Sequence, residues 1–178
     1  MRIGFLLMLL LPAAAIASDD LWKLLQAGGH VVLIRHTITE PGAGDPPGMR
    51  LDDCASQRNL SDEGRAHARR IGAAFRARNI PVSRVLSSPW CRCLETARLA
   101  FGKAETTKPL SNLFGRHENR DTQVKALRAL LKTVPRERNL VLVTHGSTIL
   151  ALTGISPGTG EMVIVSPDAE VLGRLASE

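Results

Sequence analysis

The hydrophobic positions of this chain fall into two patterns. Short continuous apolar runs stand at Val31-Val32-Leu33-Ile34, around Val85-Leu86, and at Leu140-Val141-Leu142-Val143. Runs of this length, rich in β-branched residues, predict strands buried on both faces of a sheet. Between them the spacing becomes helical. Gly64, Ala68, Ile71 and Phe75 recur at helical intervals after Ser61, whose hydroxyl suits an N-cap, with Asp62 and Glu63 in the first turn. Pro89 fits the first turn of a helix over residues 90–101, where its missing N–H costs nothing. Val124, Leu127, Leu130 and Leu131 predict a further helix ending near Pro135, and residues 147–152 a short one. A helix over residues 21–27, capped by Asp19 or Asp20 and stopped by Gly28-Gly29, precedes the first strand. Residues 162–165 and 170–175 predict two late strands.

Strand and helix alternate along most of the chain. That order predicts an α/β domain of three layers, a largely parallel central sheet with helices on both faces. Two stretches resist the pattern. Residues 37–59 are rich in Gly, Pro and Asp and predict a long loop, a kind of segment that is usually functional or disordered. Residues 103–119 are weakly patterned. Of the histidines outside the strand ends, His30 opens a strand and His67 is expected on a polar helix face, while His117 lies in the weakly patterned stretch.

The first residues change the picture of where the protein works. Met1-Arg2 is a basic opening, residues 3–11 are almost wholly apolar, and Ala15-Ile16-Ala17 is a small-x-small end. These are the parts of a secretory signal peptide, cut after Ala17. The apolar stretch is too short for a spanning helix, which needs about 20 residues. Residues 18–178 then form a single domain, periplasmic or secreted and without stable membrane insertion. The chain carries a formal charge of +6, no Tyr, four Phe and two Trp. So few aromatics, and no clustered run of Lys and Arg, argue against nucleic acid as a partner. In an oxidising compartment two of the three cysteines are expected to pair. Cys91 and Cys93 are poorly placed to bridge each other. Cys54 is expected to pair with Cys91 or Cys93, with Cys91 preferred because Cys93 lies deeper in the helix. A metal site would need tetrahedral Cys/His spacing, and the chain has none.

In open α/β sheets, sites form at the carboxyl ends of strands. There the sequence puts Arg35-His36, then Ser87-Ser88-Pro89-Trp90-Cys91-Arg92, then Thr144-His145-Gly146. This set suits phosphoryl transfer. A neutral imidazole is a competent nucleophile for phosphorus, and guanidinium groups grip two oxygens at once while holding their charge. No metal or other cofactor is required if arginines supply the charge. Neither a G-x-S-x-G elbow nor a G-x-x-x-x-G-K-[ST] loop is present.

These stretches resemble the histidine phosphatase superfamily, the phosphoglycerate-mutase-like fold. Leu33-Ile34-Arg35-His36 resembles its L-x-R-H-G signature, residues 86–97 its S-S-P-x-x-R-x-x-x-T-A box, and Val143-Thr144-His145-Gly146 its V-x-H-G box. Leu60-Ser61-Asp62-Glu63-Gly64 resembles the segment between the first two. The resemblance implies a phosphomonoesterase working through a phosphohistidine at His36, with Arg35, Arg92 and His145 completing the phosphate pocket. Arg58, Thr37 and Ser147 are expected on the substrate side. The substrate would be a small-molecule or envelope phosphomonoester. Two departures stand out. Thr37 replaces the usual glycine, and Asn112 stands where the family's acid is expected, so Glu118 or Asp121 would have to substitute. A competing reading is a phosphate-binding or regulatory module that kept the pocket and lost turnover. A mutase is disfavoured by export.

Overall fold

The computed structural model describes residues 18–115 and 117–176. The expected signal segment and the side chain of His117 lie outside the described residues. Among the described residues five α-helices and six strands follow in the order α1 (Ser18–Ala27), β1 (Val31–Arg35), α2 (Asp62–Ala77), β2 (Val82–Ser87), α3 (Cys91–Phe101), β3 (Glu105–Thr106), α4 (Arg120–Leu131), β4 (Asn139–Thr144), α5 (Gly146–Thr153), β5 (Met162–Val165) and β6 (Val171–Leu175).

All six strands join one sheet in the order β3-β2-β4-β1-β5-β6. The first four run parallel, β5 pairs antiparallel with β1, and β6 pairs antiparallel with β5. The apolar runs of β1 and β4 lie at the centre, paired Val31 to Leu140 through Arg35 to Thr144. Their side chains divide by parity, as alternation across a strand requires. Val32, Ile34, Val141 and Val143 pack with α1, α2 and α3 through Leu25, Ile71, Phe75 and Ala97. Val31, Leu33, Leu140 and Leu142 pack with α4 and α5 through Leu127, Leu131, Ile149 and Leu152. Three layers result, as the alternation of elements predicts.

Several local expectations change. Asp19 and Asp20 sit inside α1, in the first turn of its described residues, rather than ahead of it as caps. The weakly patterned stretch holds the two-residue strand β3, added to the sheet edge beside β2. His67 is buried, not on a solvated face. It lies on the same stripe as Gly64, Ala68 and Ile71, beneath Gly160, where an added Cβ would collide with its ring. The N-cap at Ser61 forms as expected, its hydroxyl accepting from Gly64 N–H at 3.1 Å. Gly64 has a second role. A Cβ there would run into the Ile38 carbonyl, so glycine lets α2 meet the strand-like segment after His36.

The long loop is closely bonded rather than loose. Thr39 bridges Leu60, and Glu40 N–H donates to the Asn59 carbonyl. Gln57 ties the loop to α3, its side-chain oxygen accepting from Cys91 N–H at 2.9 Å. A disulfide joins Cys54 to Cys91, leaving Cys93 as a buried free thiol.

Candidate active site

The carboxyl ends of β1, β4 and β2 are neighbours, so the residues after them meet. His36 N–H donates to the Thr144 carbonyl and Ser88 N–H to the Val143 carbonyl, both at 2.9 Å, which carries the ladder one residue past each strand. The rings of His36 and His145 thereby stand 5.5 Å apart, edge to face.

His36 is 5% exposed, and its ring is held by a hydrogen bond of 2.9 Å from Nδ1 to the Thr37 carbonyl. A carbonyl can only accept, so Nδ1 carries the hydrogen and Nε2 keeps its lone pair. Burial lowers the pKa of His36 to about 3. The Thr37 carbonyl opposes that shift, and Arg92, Arg35 and Arg58 add to it. The ring is neutral at physiological pH, with a free nucleophilic nitrogen.

His145 is also buried, and burial, then His36, Arg92 and Arg35, hold its pKa well below the usual value. Its Nε2 lies 2.8 Å from Ser88 Oγ and 3.4 Å from Cys93 Sγ. Trp90 packs edge-on against its ring at 5.2 Å. The Cys93 thiol is pushed up to about 12 by burial, which leaves it protonated and inert as a nucleophile.

Three arginines surround the histidines. Arg35 donates from Nη1 to the Pro157 carbonyl at 2.8 Å, and its Nε is buried without a partner. Gly146 faces this guanidinium, and a Cβ there would stand at contact distance from it, 3.4 Å. Burial, and after it the charge of Arg58, lower the pKa of Arg35. Arg58 donates from Nη1 to the Gly42 carbonyl and also has a buried Nε without a partner. Arg92, 2% exposed, is gripped by Asp45, Nη1 to Oδ1 at 2.5 Å and Nη2 to Oδ2 at 3.1 Å, and its Nε too is unpartnered. Unpaired buried donors are expensive. Three of them on cationic groups that crowd one histidine describe a pocket built for an anion with several acceptor oxygens.

The sequence profile of the histidine phosphatase superfamily (branch 1) matches residues 31–123, more than half of the chain. The chain belongs to the histidine phosphatase superfamily. Among curated proteins no sequence matches it. Solved structures share the fold at low identity. TTHB049 from Thermus thermophilus is 21% identical with a TM-score of 0.58, over 83% of this chain and 99% of that one. Rv3214 from Mycobacterium tuberculosis is 18% identical with a TM-score of 0.60, over 76% and 89%. The protein histidine phosphatase SixA complexed with tungstate is 17% identical with a TM-score of 0.56, over 83% and 97%.

Within this superfamily member, His36, His145, Arg35, Arg92 and Arg58 form one cluster. Thr37 and Ser147 stand beside it with their side chains bonded elsewhere, although the Thr37 carbonyl holds His36 Nδ1. Thr37 is fully buried, and its hydroxyl meets Thr96 Oγ1 at 3.2 Å inside the domain. Its φ is not among the positive values, so the missing glycine imposes no backbone strain. Ser147 donates to Asn112 Oδ1 at 2.8 Å. Glu118 is exposed in the turn before α4, its carboxylate accepting from Asn119 and, among the described residues, from none of the cluster. Asp45 escaped the sequence reading, and Ser88 entered it only as part of the box that leads to Arg92, with no role of its own. For Asp45 the available signal was a carboxylate inside Gly44-Asp45-Pro46-Pro47, a stiff turn within the long loop. Beyond Trp90 a cavity of about 790 Å³ opens, lined by Pro89, Lys108, Asn112 and Gln123 and by no carboxylate among the described residues.

Proposed function

We propose that the protein is an exported phosphomonoesterase that transfers the phosphoryl group to His36 Nε2 and then to water. The reading is carried by one observation: a neutral buried imidazole with a free Nε2, facing Arg35, Arg58 and Arg92. In such a reaction charge builds on the equatorial phosphoryl oxygens, and fixed guanidinium donors stabilise it without reorganising. His145 is neutral as well, and Ser88 holds its Nε2 beside the edge of the His36 ring. The leaving alcohol would extend into the cavity beside Trp90, whose lack of carboxylates suits an anionic substrate.

Export is supported by the signal-like residues 1–17 and by the Cys54–Cys91 disulfide, which persists in oxidising compartments. No helix among the described residues is long and apolar enough to cross a membrane.

Wild-type protein should hydrolyse p-nitrophenyl phosphate at a rate unchanged by EDTA, and rapid acid-free quenching should trap a phosphoenzyme that acid destroys. His36→Ala should fold yet show neither turnover nor phosphoenzyme, because no other side chain of the cluster can carry the group. Turnover in His36→Ala refutes the mechanism. Absence of turnover in the wild type would favour the phosphate-binding module instead.

A further inference from the structure

A phosphoryl transfer to histidine needs a proton for the departing alkoxide, and the expected acid positions do not supply it. Asn112 is an amide engaged with Ser147 and with the N–H of Phe114. Glu118 is exposed and tied to its neighbour. Among the described residues, the carboxylate bonded to the cluster is that of Asp45. Besides Arg92 it accepts from Trp90 Nε1 at 3.1 Å and from Arg58 N–H at 3.3 Å. We propose that Asp45 is the general acid and base of the reaction: it protonates the leaving oxygen and later deprotonates the water that attacks phosphohistidine.

Geometry carries the assignment. Asp45 holds both terminal nitrogens of Arg92, whose Nε is left without a partner, so a phosphoryl oxygen taken up by the free edge of that guanidinium would lie next to this carboxylate. Pro46 and Pro47 stiffen the turn, and the Cys54–Cys91 bridge fixes the loop's far end next to Arg92. The loop is built to present one carboxyl group at one place.

Charge exchange supplies the proton at the right moment. In the free protein, burial favours protonated Asp45, but Arg92 with help from Arg58 N–H and Trp90 outweighs it and holds the group ionised. An arriving phosphate dianion competes for the Arg92 donors and sets negative charge against the carboxylate. Both changes raise its pKa, so binding substrate takes up the proton that catalysis uses. As the ester P–O bond breaks, the P–N bond to His36 Nε2 forms and the Asp45 proton passes to the leaving oxygen. The carboxylate then takes a proton from water as its oxygen attacks phosphorus. The P–N bond breaks, and alcohol and phosphate are the net products.

This proposal rests on the phosphatase reading, and the test separates the two. p-Nitrophenolate departs unprotonated at neutral pH, whereas an alkoxide does not, and kcat/KM reports only steps through phosphohistidine formation. Asp45→Asn should lose about 10²–10⁴-fold in kcat/KM on glycerol phosphate but less than about tenfold on p-nitrophenyl phosphate. The phosphoenzyme should also accumulate in the variant. Equal losses on both substrates would reduce Asp45 to a holder of Arg92, and a gain would make it a competitor of substrate; either overturns the proposal. Wild type gives the same test without a variant, since a working acid keeps kcat/KM on the two esters similar and a steep fall overturns it. Failure of wild type on both esters would instead sink the phosphatase reading.

Discussion

The site joins two unlike regions. One is the frame of strand ends: His36 and His145 directly follow β1 and β4, whose residues are almost wholly buried and whose ladder continues into the backbone of His36. The other is the loop over residues 37–59, which has little apolar core and is held by a bridge, a few polar contacts and the Asp45–Arg92 pair. In the frame, the hydrophobic packing that stabilises the domain also positions the chemistry. In the loop, position depends on a few specific bonds that stabilise little else. Damage to the two regions should therefore look different.

Arg92 is where they meet, so its replacement should have the largest effect. Arg92→Lys keeps the charge but loses the planar fork, and a point charge cannot hold Asp45 and two phosphoryl oxygens together. Losing one such donor costs about 10²–10³-fold, and we expect that loss in kcat/KM on p-nitrophenyl phosphate with the melting temperature little changed. A variant within about a factor of two of wild type would remove Arg92 from the transition state.

The same contrast explains what was legible in the sequence. β1 and β4 were readable because four consecutive apolar residues have few other uses, and the frame residues because their boxes follow those strands. Ser61 was readable as a cap because its partner is three residues away. His67 was misread: its stripe is apolar, but its own type is polar, and only the turn at Gly160 that covers it reveals the burial. β3 has two residues and no pattern to show, since it exists by pairing with β2. Asp45 is separated from Arg92 by 47 residues of chain, so no local spacing marks it. Side chains placed by periodicity are legible, and those placed by one tertiary bond are not.

The bridge is the loop's main covalent support, and its removal should be the next largest effect. It closes a separation of 37 residues, for which the chain-entropy model gives about 3–4 kcal/mol. The double variant Cys54→Ser, Cys91→Ser should lose stability of that order in urea unfolding, and reductant should do the same to wild type. Alkylation after unfolding without reductant should find one reactive thiol, Cys93. Hydrogen exchange should quicken in the loop while amides of β1 and β4 stay protected until global unfolding. Equal loss of protection in both regions would mean that loop and frame unfold as one unit.

The smallest effect belongs to the frame and is a matter of protons. The folded pKa of His36 is about 3, below its unfolded value near 6.5, chiefly because burial disfavours the charged ring. Between these values the unfolded chain binds the proton and the folded one does not. Stability from this group is therefore complete above the unfolded pKa and falls as pH drops through the window toward 3. From pH 7 to 5 the loss is about 2 kcal/mol. His145 shifts in the same direction and adds to it, as does His30. His36→Asn should flatten the decline of urea stability between pH 7 and 5 by about 2 kcal/mol, while Asp45→Asn should leave that slope alone, because Asp45 is ionised in both states across this range. If His36→Asn leaves the slope intact, the imidazole is protonated in the folded protein. The neutral nucleophile would then be lost, and with it the claim that packing of the frame alone prepares His36 for attack.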